Sequence, residues 1–471
     1  MFEEIIKILR DKVTVKKNVK EAIELSKQIG YQKNLSLILD ILKNAPENSI
    51  DVVVCNQLMN KFNRNWAFTC AVHNLLITRE IINEASFNSF ITMAGKNRQF
   101  GAAKNAFELA RKRNLANEIT FNSFIVAAGK NGQFETAQNV FELSKELKLA
   151  SAVTFASFID VAGKNGQFKA AQNAFELAKN WKLVNEVTFA SFIDVAGKNG
   201  HFEMAQYAFE LAKNWKLANE VTFASFIDAA GKNERFDEAQ KAFELAKLLQ
   251  LANQITFNSF INAAGKNGQF EVAQNAFELA KERKLIDKIT FASFIDLAGK
   301  SGQFKAAQDA FELAKKWKLI NEVTFNSFIS IAGKNKQFEM AQKAFELAKK
   351  WNLANKVTFA SFIDAAGKNG QFDAAQNAFE LAKKWNSCDC YTFNSFIDAA
   401  GKNGHFGAAQ NAFKQAIVLQ LADELTFACF IDSAEKNGQF EAAQNAFELA
   451  KRLKLADKLI LPGFVTAALS E

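Results

Sequence analysis

Proline is almost missing from this chain of 471 residues: there are two, Pro46 and Pro462. No proline-, serine- or glycine-rich linker therefore cuts the chain into separate domains. Histidine is scarce as well, with only His73, His201 and His405. The five cysteines, Cys55, Cys70, Cys388, Cys390 and Cys429, form no CxxC. That odd number argues against a disulfide framework and for a reducing compartment. Cys388 and Cys390 are too close in sequence for a zinc pair of the usual spacing. A phosphate loop, a nucleophile elbow and the HxE with CxxC of zinc deaminases are all lacking, so we expect no enzyme, no cofactor and no metal. No run approaches the roughly 18 apolar residues of a membrane span, and we expect no membrane association. The opening MFEEIIKILRDKV carries Glu3 and Glu4 where a signal or transit peptide would be basic. A cytoplasmic location is the expectation, with organellar and secreted locations left open. The net charge of +8 permits a polyanionic partner without requiring one.

What the chain has in abundance is phenylalanine, 48 residues, and it has them at fixed intervals. A 34-residue unit recurs eleven times with four Phe slots, which take 44 of the 48. In the unit Glu186–Asn219, Phe189, Phe192, Ile193 and Ala196 fall at helical spacing. Asn199-Gly200 then ends the helix, and Phe202, Ala205, Phe209 and Ala212 begin a second stripe. Each unit reads as a helical hairpin that must stack on its neighbours to bury both faces. The expected fold is all-α, a right-handed α-solenoid superhelix of about twelve hairpins. Residues 1–50 read as an N-terminal helical cap and 51–83 as a degenerate first repeat, in which Val53, Asn56, Leu58, Met59, Phe68, Ala71 and Leu75 fit the template in order. Residues 84–457 hold the eleven repeats and 458–471 a C-terminal capping half-repeat. Trp181, Trp215, Trp317, Trp351 and Trp385 share one slot and read as packing between units.

Opposite the Phe stripe runs a second one, read as an exposed surface: Val187, Ala190, Asp194 and Lys198. The first slot is aliphatic in Ile119, Val153, Val187, Val221, Ile255, Ile289, Val323 and Val357. The second alternates between Asn and Ala alone, and helix preference favours Ala there while offering Asn no capping role. The fourth is always lysine: Lys96, Lys130, Lys164, Lys198, Lys232, Lys266, Lys300, Lys334, Lys368, Lys402 and Lys436. Each unit closes on Asn, Asp or Ser. Those closing residues are also favoured helix N-caps. The lysines suit a helix C-terminus and, in seven units, an ion pair with the Asp four residues earlier. Both plain readings stand beside any functional one.

The run TFNSFI…AGKNGQFE.AQNAFELAK, over about residues 52–457, resembles the pentatricopeptide repeat family. Thr256, Phe257, Asn258, Ser259, Ile261, Lys266, Gly268, Phe270, Ala273 and Phe277 carry the resemblance. Tetratricopeptide repeats share the period but favour Gly where this chain has Ile193. The unit is one residue shorter than the family's usual length and lacks its terminal proline. The resemblance implies a superhelix binding single-stranded RNA, about one base per repeat. It also implies that eight aliphatic residues sandwich the bases and that paired slots read base edges, while the lysines, as mobile point charges, can neutralise phosphates. Those pairs are Asn56 with Asn83, Asn88 with Asn117, Asn122 with Ser151, Ala156 with Asn185, Ala190 with Asn219 and Ala224 with Asn253. They continue with Asn258 and Asp287, Ala292 and Asn321, Asn326 and Asn355, Ala360 and Asp389, Asn394 and Asp423, and Ala428 and Asp457. With the family's associations for the Asn pairs, and an extrapolation for the Ala pairs, they spell 5′-CCCAAAUACGUG-3′. The rival expectation is a protein-interaction scaffold of tetratricopeptide type holding a peptide or protein partner. In either case a monomer is expected.

Overall fold

A computed structural model describes residues 31–44, 50, 52–63, 65–453 and 455. Most of the expected N-terminal cap, the whole C-terminal half-repeat and Asp457 lie outside the described residues. Among the described residues there are 25 helices, from Tyr31–Asn44 to Phe440–Arg452, and no strand. The all-α hairpin solenoid expected from the period is the fold observed. The chain divides into two compact units, residues 1–238 and 239–471.

In the first unit, helices Glu84–Lys96 and Phe100–Lys112 make one hairpin, Glu118–Lys130 and Phe134–Glu146 the next, and the pattern repeats through Glu186–Lys198 and Phe202–Asn214. The second unit holds the same object, from Gln254–Lys266 and Phe270–Glu282 to Glu424–Lys436 and Phe440–Arg452. Inside each unit the first helix of a hairpin packs on the first helix of the next. Phenylalanine joins the hairpins. Phe141 lies parallel to Phe158 of the following hairpin at 4.1 Å and edge-on to Phe155 at 5.2 Å. In the second unit Phe277 stacks on Phe294 at 4.1 Å and meets Phe291 edge-on at 5.6 Å. Each such pair adds roughly 0.5–1.5 kcal/mol beyond area burial.

The words AGKN have a packing reason. A Cβ on Gly197 would lie 2.3 Å from Ala229 Cβ and 2.6 Å from its Cα, so only glycine lets the first helices approach this closely. The neighbouring Asn stitches the same contact: Asn165 Nδ2 donates to Val161 O at 2.8 Å and to Gly129 O of the preceding hairpin at 3.3 Å. The left-handed residue of the first turn is glycine in most hairpins, as at Gly200 with φ 78°. The second turn uses Lys182, Lys216 or Lys318 at φ 57–58°, which the sequence did not advertise.

Two expectations need correction. In the degenerate repeat, Ala71 and Leu75 are half-buried, whereas Thr69, Val72, His73 and Leu76 are buried. His73 fills a phenylalanine's place there, stacking on Phe90 at 3.7 Å and meeting Phe87 edge-on at 5.6 Å. Burial lowers its pKa to about 4, so it packs as a neutral ring. The ring contacts of the five tryptophans in the shared slot fall within their own hairpins. Trp181 meets Phe155 of its own hairpin edge-on at 5.8 Å and remains 46% exposed.

Candidate nucleic-acid interface

The closing residue of every described unit is a helix N-cap. Asn83, Asn117, Ser151, Asn185, Asn219, Asn253, Asp287, Asn321, Asn355, Asp389 and Asp423 each accept from the backbone N–H of the third helical residue. The plain reading of this slot is therefore correct, and the cap consumes one side-chain oxygen. Asp287 shows what is left over. Its Oδ1 accepts from Ile289 N, Thr290 N, Thr290 Oγ1 and Asn258 Nδ2. Its Oδ2 takes no hydrogen bond among the described residues. Burial opposes ionisation of Asp287, but the bonds from Thr290, Asn258 and Ile289 outweigh it and hold its pKa below the ordinary value. Asp389 is likewise held low against burial, chiefly by Lys356 and Thr392, and Asp423 by Thr426 and Asn394.

The Asn/Ala slot is not exposed as the sequence suggested. Ala156, Ala190, Ala224, Ala292 and Ala360 are 3–8% exposed, and Asn56, Asn122 and Asn394 are 5–9%. Asn88, Asn258, Asn326 and Ala428 are half-buried in the same slot. Asn88, Asn258 and Asn394 each donate through Nδ2 to the oxygen of Asn117, Asp287 and Asp423, at 3.5, 3.4 and 3.3 Å. A carboxylate only accepts, so Asn258 and Asn394 must turn their amide oxygens away from it. Those oxygens are buried and unpaired, as are the Oδ1 atoms of Asn56, Asn88 and Asn122. Asn326 differs, because its Oδ1 accepts from Thr358 Oγ1 at 2.6 Å. An unmet buried acceptor costs about 1–3 kcal/mol, and here it recurs in the same slot of several hairpins.

The aliphatic slot stands in full view. Ile119, Val153, Val187, Val221, Ile255, Ile289, Val323 and Val357 are 46–59% exposed, and Tyr391 and Leu425 continue the row at 64% and 49%. One cleft of about 260 Å³ is lined by Asp160, Glu186, Val187, Ala190, Ser191, Asp194, Asn219, Val221 and Ser225. It brings two expected readers, Ala190 and Asn219, between two expected sandwiching residues, Val187 and Val221. A second, of about 200 Å³, is lined by Thr92, Gly95, Asn122, Ser123, Val126, Ala127, Lys130 and Ser157. That one joins Asn122 to Lys130 without Ser151 or Ile119. The sequence reading missed the serines of both clefts. Their signal was a slot that holds serine in ten of eleven units.

Each lysine of the fourth slot ends its first helix, as expected. Lys164, Lys198, Lys300, Lys368, Lys402 and Lys436 hold the Asp four residues earlier at 2.5–2.6 Å, and Lys232 holds Asp228. Lys96, Lys130, Lys266 and Lys334 have no acidic partner among the described residues. Burial works to lower the pKa of Lys198, but the hydrogen bond and charge of Asp194, with Asp228 and Asp160 behind it, push it up. Among the described residues no cluster of three or more His, Cys, Asp or Glu could hold a metal, and no helix is long and apolar enough to cross a membrane.

Comparison with known proteins gives this geometry its relatives. The family model of the PPR repeat matches residues 119–149, 221–248, 255–285, 323–353, 357–387 and 391–418. No curated protein sequence matches the chain. Among solved structures, the pentatricopeptide repeat protein PPR10 in complex with an 18-nt psaJ RNA element is 18% identical, covering 94% of this chain and 67% of its own, with a TM-score of 0.61. A form of PPR10 with three cysteines changed to serine, bound to the same RNA element, gives the same values. PPR10 from maize is 14% identical over 92% of this chain and 78% of its own, at a TM-score of 0.41. The matched hairpins lie in both compact units and share their period, caps and Phe slots with those between them, and so the chain belongs to the pentatricopeptide repeat family.

Proposed function

We propose that the chain binds single-stranded RNA in the clefts between successive first helices, selecting sequence at about one base per hairpin. The observation that carries this reading is the row of exposed aliphatic residues flanking positions where an Asn of the first helix pairs with the next helix's cap. A splayed base offers flat apolar faces to the aliphatic side chains and a polar edge to the paired slots beside them. At Asn258 and Asp287 the atom left free is Asp287 Oδ2, an acceptor, which suits the imide N–H of uracil. The relative PPR10 is described with an RNA element, which supports the same class of partner.

Selection of bound sequences from a random RNA library tests this. The expected outcome is an enriched motif whose affinity falls steeply as salt rises. Failure of every RNA to bind at low salt would replace the reading with that of a protein-interaction scaffold.

A further inference from the structure

Asn and Ala do not alternate independently of the rest of the hairpin. All six Ala hairpins carry Asp four residues further on: Ala156 with Asp160, Ala190 with Asp194, Ala224 with Asp228, Ala292 with Asp296, Ala360 with Asp364, and Ala428 with Asp432. Of the five Asn hairpins in the regular array, four have Thr92, Val126, Asn262 or Ser330 in that place, and only Asn394 is followed by an acid, Asp398. The Asp is one helical turn from the lysine, and in every case the ion pair forms. The hairpins that lack a polar reader therefore also have their lysine engaged.

We propose that the array contains two kinds of hairpin: gripping ones, which combine an Asn reader with an unpaired lysine, and passing ones, in which Asp restrains the lysine and admits a nucleotide with little hold on its phosphate. This rests on the RNA reading above and deepens it. Lys96, Lys130, Lys266 and Lys334 supply most of the phosphate attraction. The Asn394 hairpin is mixed, reading a base while Asp398 holds Lys402 at 2.5 Å. A phosphate approaching Lys198 meets Asp194 on it and Asp160 in the adjoining cleft, so Coulomb attraction is largely cancelled before contact. At Lys130 the cleft contains no carboxylate. Contact with RNA along the chain is then uneven, with the grip at Lys96 and Lys130, again at Lys266 and at Lys334, and low-cost steps between.

The experiment uses the full chain and a random single-stranded RNA pool about 20 nucleotides long, so that it does not depend on knowing the sequence read. Binding is followed from about 50 to 200 mM salt. Replacing Lys130, Lys266 and Lys334 with Ala should flatten the plot of log affinity against log salt by up to about two units, at about 0.7 per phosphate contact. The same change at Lys198, Lys232 and Lys368 should flatten it by less than about one. Asp194→Asn with Asp228→Asn and Asp364→Asn should steepen the slope, and that gain should vanish where Lys198, Lys232 and Lys368 are already Ala. The last arm separates release of a lysine from mere loss of a repelling charge. Equal flattening by the two lysine sets, or a gain from the Asp changes that survives without the lysines, would overturn the inference and leave RNA binding standing. No binding by the unsubstituted chain at low salt would overturn the RNA reading itself, and this inference with it.

Discussion

Two clefts of the first compact unit, built on the same backbone, differ in three side chains that matter: Asn122 against Ala190, Thr92 against Asp160, and Val126 against Asp194. The cleft at Asn122 has a buried unpaired oxygen, an exposed lysine and no acid. The cleft at Ala190 has a methyl group in the reader's place and the carboxylates of Asp160, Glu186 and Asp194 around it. The scaffold beneath them is the same: the Phe stack, the Gly contact and the Asn stitch. The lesson is a division between a scaffold that repeats almost unchanged and a slot in the cleft wall that the scaffold leaves free. Asn at that slot is the weaker helix former and, at Asn88, Asn122, Asn258 and Asn394, leaves a buried acceptor unmet, so its presence calls for a reason outside folding.

Breaking the scaffold should erase the difference between the clefts. Gly95→Val would drive a branched side chain into Ala127, whose Cβ already lies 2.6 Å from where a Cβ on Gly95 would be. We expect a loss of about 3 kcal/mol, read by denaturant unfolding, and loss of RNA binding along the whole first unit.

Exchanging the readers should sharpen the comparison. Asn122→Ala removes an unmet buried acceptor and installs the better helix former, so stability should rise by about 1 kcal/mol while RNA affinity falls. Ala190→Asn should do the reverse to stability, by a similar amount. A drop in stability for Asn122→Ala would mean that the amide serves packing.

The smallest effect concerns acid. The caps of the first unit are Asn or Ser, whereas Asp287, Asp389 and Asp423 all lie in the second. Their pKa values are depressed in the folded state, from an ordinary 3.8. The stability they add is present in full above that ordinary value and is lost as pH falls through the lower, folded ones. Hydrogen exchange below pH 4 should therefore show the hairpins capped by these three acids opening before the Asn-capped ones, by about 0.5 kcal/mol or less. Asp287→Asn should remove the effect locally, since Asn caps equally well.

The fold was legible because its determinants are one-dimensional. A period, a Phe spacing and a Gly after most first helices dictate hairpins whatever their partners are. The aliphatic slot was legible for the same reason, since an apolar residue off the Phe stripe has no core to enter. Burial of the Asn/Ala slot was not, because whether a helix face meets solvent or the next hairpin depends on how closely the helices approach. That distance is set by Gly95 or Gly197 from another hairpin. The second-helix register of the degenerate repeat was missed because His73 does the work of a phenylalanine, and composition does not reveal a neutral stacked histidine.

The most direct test of the central claim is selection from a random RNA library with the unsubstituted chain and with Asp287→Asn in parallel. Asn keeps the cap but replaces the acceptor-only group beside Asn258 with one that also donates. One position of the enriched motif should move from U toward C by about 1 kcal/mol of preference, with every other position unchanged. A motif that stays the same at that position, or that weakens for all four bases alike, would mean that Asp287 is a helix cap and nothing more.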